Sequence, residues 1–309
     1  MAVTQARASR VQRRRRVQPV GIRRIVLASA GEETSRGAIR LARILAESHD
    51  ATVRVIGATQ PLPTAAMSAL DMVPSPTIDE DNRLEVLTAA KRQVARFGGD
   101  WPVHAVLGAP ADVILEESER LRASLLVLGL APHKRLDRLL GQETAISVVR
   151  RARMPVLAVP RTTTEAPTHA VVGFDFTEAS VAAARFTAML LPHGARLSLV
   201  HIPPFADFER RDGVNWVDVY ATGAEARLAA MKRELHAGFG HAIDVAMLHG
   251  DPAETLLRFA KREHCDLIAL GVHSQSAVER MLIGSTTTRV LRGATCSVLV
   301  APQRRSGAR

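Results

Sequence analysis

The chain has 309 residues, enough for two domains of ordinary size, and 47% of them are hydrophobic, so a sizeable core is within reach. Aromatic residues make up only 4%, which leaves the core to Val, Leu, Ile and Ala and favours helices packed on a parallel sheet over a sandwich. The charge of +10 sits at the ends; removing the eleven terminal arginines from 41 basic residues leaves 30 against 31 acidic ones, a near-neutral body that excludes a nucleic-acid surface by composition.

Residues 1–21 form a basic arm. Arg7, Arg10, Arg13, Arg14, Arg15 and Arg16 lie in it, and Arg23 and Arg24 follow, with no acidic residue before position 25. Such an arm either touches nucleic acid or an anionic surface, or stays disordered and solubilising. The lack of aromatic or apolar residues between its charges favours the second reading. The apolar segment before Ala28-Ser29-Ala30 is too short for a secretion signal, and Arg23 and Arg24 interrupt it. No run approaches a membrane span. Cys265 and Cys296 read as reduced core residues, so a cytoplasmic protein is expected.

Ile22 to Ala28 is the first strand, followed by an amphipathic helix over 35–47 with Ile39, Ala42, Leu45 and Ala46 on one face. A strand over 51–58, a Pro-rich loop over 60–82 and a helix over 84–97 come next. Strands are expected at 103–107, 125–128 and 156–159, with helices at 111–120 and near 142–151 and a loop at 130–140. Residues 161–167 read as a linker. The pattern then starts again. Strands fall at 170–175, 196–202, 242–248, 267–270 and 298–301, helices at 179–191, 224–237 and 253–263, and a long loop at 203–219. Asp251, just before Pro252, reads as the cap of the helix that follows.

The recurrence can be measured. Gly108 and Gly250 are 142 residues apart, as are Gly129 and Gly271 and the strands starting at Val156 and Val298. Gly141 and Gly284 are 143 apart, and Ala30 and Asp175 are 145 apart. The chain is therefore read as a duplication: two tandem α/β units, each a doubly wound five-stranded parallel sheet.

In the second copy, residues 266–288 combine a strand closed by Gly271, a loop with His273 and Ser274, and a helix opened by Gly284, Ser285 and Thr286. The first N–H groups of a helix lack internal partners and carry partial positive charge, so this is a place for an anion. It is equally a hydroxyl-capped helix start that binds only water. His273 is read either as a phosphate donor or as a solvated loop residue. In the first copy Ala30 stands opposite Asp175, Pro132 removes an N–H donor, and Gln142 and Glu143 replace Ser285 and Thr286. That copy reads as unsuited to an anion, since a carboxylate there repels phosphate. No P-loop, GxGxxG, metal cluster or nucleophile–base pair is found, so no dedicated enzyme is expected.

Each copy resembles the universal stress protein domain. The likeness rests on AVVGFDFTEAS, on the strand ending in His201-Ile202, on GDPAETLL and DLIALG, and on GSTTTRVLRGATCSVLVAP. Gly271, Ser274, Gly284 and Ser285 match the family spacing Gly-x2-Gly-x9-Gly-Ser/Thr, with Ser in place of the second Gly. The resemblance covers about 22–160 and 168–302, with a basic tail at 303–309. It implies strand order 3-2-1-4-5 and a site for ATP, with or without Mg, at the carboxyl ends of the first and fourth strands. Carried over, Asp175 sits by the adenosine, Ile202 meets the adenine edge, and Gly271, Ser274, Gly284, Ser285 and Thr286 line the phosphates. It implies slow ATP hydrolysis at most. It also implies an internal pseudo-dimer through the two last strands, and leaves a homodimer of whole chains open. Phe176 and Thr177 stand where Gly and Ser usually follow the Asp, so Phe176 is expected to narrow the site.

Overall fold

The computed structural model describes residues 21–60, 76–130, 142–203, 216–272 and 285–303. The basic arm, the tail and the centres of the three long expected loops lie outside the described residues. The first copy runs β1 (Arg24–Ala28), a 3-10 turn (Glu33–Ser35), α1 (Arg36–His49), β2 (Thr52–Thr59), α2 (Pro76–Phe97), β3 (Val103–Leu107), α3 (Pro110–Arg120), β4 (Leu125–Leu130), α4 (Gln142–Arg151) and β5 (Val156–Pro160). The second runs β6 (His169–Gly173), α5 (Glu178–Leu190), β7 (Arg196–His201), α6 (Trp216–Phe239), β8 (Ala242–Met247), α7 (Pro252–Arg262), β9 (Leu267–Val272), α8 (Ser285–Gly293) and β10 (Ser297–Pro302).

Two helices begin earlier than their sequence suggests. Helix α2 starts at Pro76 rather than near Leu84, because proline suits a first helical position and Asp79 in the first turn favours the helix dipole. Helix α6 starts at Trp216 rather than Ala224, running through Gly223. A Cβ there would meet nothing within 4 Å, so the cost of that glycine is only its propensity, about 1 kcal/mol against Ala, and the alanines around it carry the helix.

All ten strands form one sheet of order β3-β2-β1-β4-β5-β10-β9-β6-β7-β8. Each half has the order 3-2-1-4-5, and the pairing within each half is parallel. The halves meet through one antiparallel pair, with Val298 opposite Ala158, Leu299 opposite Leu157 and Val300 opposite Val156. Strands covered on both faces need apolar residues in unbroken runs, and LLVLGL and VLAVP are such runs.

Side chains alternate between two cores. On one face Leu27, Val127, Leu157, Leu299, Ala269 and Val172 pack beneath α1, α5 and α6. On the other face Val26, Leu126, Val156, Val300, Ile268 and Val171 pack beneath α3, α4, α7 and α8. Both cores cross from one copy to the other through β5 and β10. Leu157 and Leu299 are wholly buried at that crossing. Leu299→Ala should therefore cost about 2–5 kcal/mol in urea unfolding. A loss below about 1 kcal/mol would mean that the crossing is not tightly packed.

Candidate functional site

The strand order turns back between β6 and β9, and their carboxyl ends lie side by side, Gly173 in register with Leu270. In doubly wound sheets this is where a crevice opens. Asp175 follows β6 by two residues and is exposed. Its Oδ1 accepts from the backbone N–H of Thr177 at 3.1 Å and from the Thr177 hydroxyl at 2.6 Å. Thr177 in turn caps α5, accepting from the Ser180 N–H. The Asp175 carboxylate is thus fixed to a helix start by a local turn.

Gly271 lies inside β9 rather than after it. A Cβ at Gly271 would come 2.3 Å from the Ala179 carbonyl carbon and 2.4 Å from the Ser180 nitrogen. The first turn of α5 therefore rests directly on the strand. Gly129 in β4 lies likewise against the 3-10 turn that leads into α1, where a Cβ would meet the Thr34 carbonyl oxygen at 2.6 Å. This glycine is demanded by helix-on-strand packing in both copies.

Ile202 follows β7 and packs, half-buried, against the second core. At the start of α8 Ser285 is exposed, Thr286 half-buried and Thr287 buried. His273, Ser274 and Gly284 lie outside the described residues. Asp251 caps α7, as its position before Pro252 suggests, accepting from the Glu254 N–H at 2.9 Å. It also holds Arg289 of α8 at 2.6 Å. The backbone N–H of Glu254 and then Arg289 lower its pKa.

After β6, on the face of the sheet that α6 covers, stands a cluster that residue patterns do not announce. Phe176 has φ +66, in the left-handed region, where a bulky side chain is rare. Its ring lies 4.4 Å from that of His201 and 5.3 Å, edge-on, from that of Phe174. The Arg227 guanidinium lies 4.2 Å from the ring centre, and Arg227 Nη2 donates to the Phe176 carbonyl at 3.1 Å. His201 is buried, its Nδ1–H donating to the Phe174 carbonyl at 2.7 Å. That bond fixes the tautomer and leaves Nε2 to accept from the Tyr220 hydroxyl at 2.8 Å. Burial lowers the His201 pKa and raises that of Tyr220. Tyr220 is the chain's single tyrosine, but 19 residues separate it from His201, and no local pattern links them.

The first copy is closed at the same place. Ala30 is buried, and Gly31 has φ +84 with its Cα facing the α2 backbone; a Cβ would lie 2.5 Å from the Ala89 carbonyl carbon. Ser29 donates to Gln93, and Gln93 donates to the Glu32 carbonyl at 2.5 Å, so α2 is tied across the end of β1. Glu143, at the start of α4, pairs with Arg292 of α8 at 3.1 Å. Among the described residues no group of three or more His, Cys, Asp or Glu could hold a metal ion. No helix among them is long and apolar enough to cross a membrane.

The profile of the universal stress protein family matches twice, at residues 21–160 and 168–302. The chain belongs to the universal stress protein family. A universal stress protein of Thermus aquaticus is 31% identical over 137 residues, covering 41% of this chain and 91% of that protein. The stress response protein NhaX of Bacillus subtilis is 26% identical over 160 residues, covering 44% and 96%. A universal stress protein of Methanocaldococcus jannaschii is 40% identical over 62 residues, and the match spans only 36% of that protein's length. The crystal structure of an Archaeoglobus fulgidus universal stress protein superposes with a TM-score of 0.65 at 17% identity, covering 91% of this chain and 98% of that one. That likeness of fold runs over both copies.

Two outcomes follow from the geometry. Gly271→Ala should destabilise the protein by about 1–3 kcal/mol in thermal unfolding with no nucleotide present, since backbone rather than a flexible side chain blocks the new Cβ. Unchanged stability would show that α5 yields. Burial disfavours the charged form of His201, so around its ordinary pKa of 6.5 the unfolded chain binds more protons there than the folded chain. Its contribution is complete above 6.5 and is lost as pH falls from there toward the lowered native value. Asp175 opposes this shift and Arg227 adds to it. Urea unfolding from about pH 8 to pH 5 should show a shallower acid loss in His201→Gln than in the parent, and parallel curves would place the loss elsewhere.

Proposed function

We propose that this is a cytoplasmic stress-response regulatory protein whose second copy binds an adenine nucleotide, ATP, and whose first copy is a nucleotide-free partner. The division proposed is an arm at 1–21, copies at 22–160 and 168–302, and a tail at 303–309. The nucleotide lies across the carboxyl ends of β6, β7 and β9. Asp175 takes the adenosine side, Ile202 meets the adenine edge, and the phosphates run toward Ser285 and Thr286 at the start of α8. Gly271, His273, Ser274 and Gly284 complete the phosphate seat in this reading. Bound nucleotide biases an interaction surface, with hydrolysis slow or absent.

The observation that carries the reading is the contrast between copies. Where the second has an exposed, turn-fixed carboxylate, the first has buried Ala30 under α2. Where the second opens α8 with hydroxyls, the first opens α4 with Glu143. Packing is conserved across this difference, as Gly129 and Gly271 show, so the fold alone does not require the second copy's polar set. Hydroxyls and free N–H groups at a helix start suit phosphate, and a carboxylate there does not.

Purified protein should gain several degrees of melting temperature in millimolar ATP, because a ligand at 100 times its Kd stabilises by about 2.7 kcal/mol. Asp175→Ala should lose most of that gain, and mass spectrometry of the native protein should find an adenine nucleotide. A parent protein that neither carries nucleotide nor shifts with ATP would overturn the proposal.

A further inference from the structure

We propose that Arg289, held by Asp251, binds the phosphates of the nucleotide in the second copy and so lets the site tell a nucleotide from a nucleoside. This rests on the nucleotide reading above and adds the cation that reading lacks. Helices α7 and α8 follow β8 and β9, so both begin at the carboxyl ends of their strands. Both pack on the face of the sheet where Ile202 packs. Arg289 stands four residues after Ser285 on α8. Residues at that spacing share a helix face, with Cβ atoms about 5–6 Å apart, and side chains lean toward the helix start. The guanidinium is thus carried on the face of Ser285, back toward the free N–H groups of the first turn. Its Nη1 donates to Asp251 Oδ2 at 2.6 Å. The other oxygen of Asp251 accepts the Glu254 N–H and caps α7, so the carboxylate that holds Arg289 is itself fixed.

A guanidinium carries several N–H donors in a planar fork that matches the oxygens of a phosphate. Asp251 occupies Nη1, and the other donors of Arg289 have no partner among the described residues. The side chain is half exposed, so those donors are open to a ligand. An ion pair that served only to tie two helices together would not need this place. In the first copy the matching helices α3 and α4 are tied by Asp112 and Arg151, and Arg151 is the last residue of α4. At the 142-residue offset Asp251 corresponds to Ala109 and Arg289 to Ser147. Ala109 stands at the cap of α3 and makes no side-chain cap bond. The copy whose α4 opens with Glu143 therefore lacks this arginine and its holder, and the copy whose α8 opens with hydroxyls has both.

Binding of ATP and of adenosine to the full chain would be compared by titration calorimetry, with ligand-free circular dichroism melts of each variant. The parent should bind ATP more tightly than adenosine. Arg289→Ala should weaken ATP about tenfold or more, the usual loss of a hydrogen bond between charged groups, and leave adenosine within about twofold. Arg289→Lys, which keeps the charge and loses the fork, should fall between parent and Arg289→Ala. An Arg289→Ala chain that keeps the parent's ratio of ATP to adenosine affinity overturns the inference and leaves the nucleotide site standing. Equal affinity of the parent for ATP and adenosine does the same. Should Arg289→Ala fail to fold, the ratio is read in Arg289→Gln, which keeps an amide donor for Asp251, and an unchanged ratio again overturns the inference alone. A parent that binds no ATP overturns this inference and the nucleotide reading together.

Discussion

The ladder between β5 and β10 is three residue pairs long, yet both hydrophobic cores pass through it. Leu157 and Leu299 face each other on one side of the sheet, while Val156, Ala158, Val298 and Val300 fill the other. Alternation along each strand makes this possible, since a one-residue slip would exchange the faces of every side chain in the pair. Register at the ladder therefore fixes how α1 and α5 share one face and how α4 meets α8 beneath the other. The carboxyl ends of β6 and β9, where the strand order turns back, take their positions from the same sheet.

Much of the fold could be read from residue order because the chain states it twice. Fixed offsets between glycines and between apolar runs identify two copies without any knowledge of their packing. The site was legible only in part. Asp251 before Pro252 signals a helix cap, and the cap is there. Gly271 reads from its sequence as room for a phosphate, but the same glycine is what a helix lying on a strand requires. Residue spacing does not distinguish the two, because the angle at which α5 crosses β9 is not a local property. The cluster around Phe176 lay further out of reach: it joins residues from the turn after β6, from β7 and from α6, with Arg227 reaching Phe176 across 51 positions. The early start of α6, which brings Tyr220 to His201, was hidden by Gly223, an open surface position where a helix tolerates glycine.

The two copies keep the same packing and differ in their polar groups. Glycines under helices recur at Gly129 and Gly271. In one copy α2 is tied over the end of β1 by Gln93, while in the other Phe176, after β6, packs with Phe174, His201 and Arg227. The first closure is made of buried backbone and amide contacts.

The linker between β5 and β6 has a consequence for what can evolve here. In an assembly of identical chains every substitution appears on both sides of the two-fold axis, so a change that closes one crevice closes the other. With both halves encoded in one gene, a substitution appears once. The antiparallel ladder does not need the halves to be identical, only to present apolar strands in register. One half is then free to carry buried Ala30, a helix tied across its first strand and an acidic helix start, while the other carries an exposed carboxylate and hydroxyls in the same places. Because the halves share a chain, their encounter is intramolecular, and dilution cannot separate them. A lopsided pair is thereby stable at any concentration.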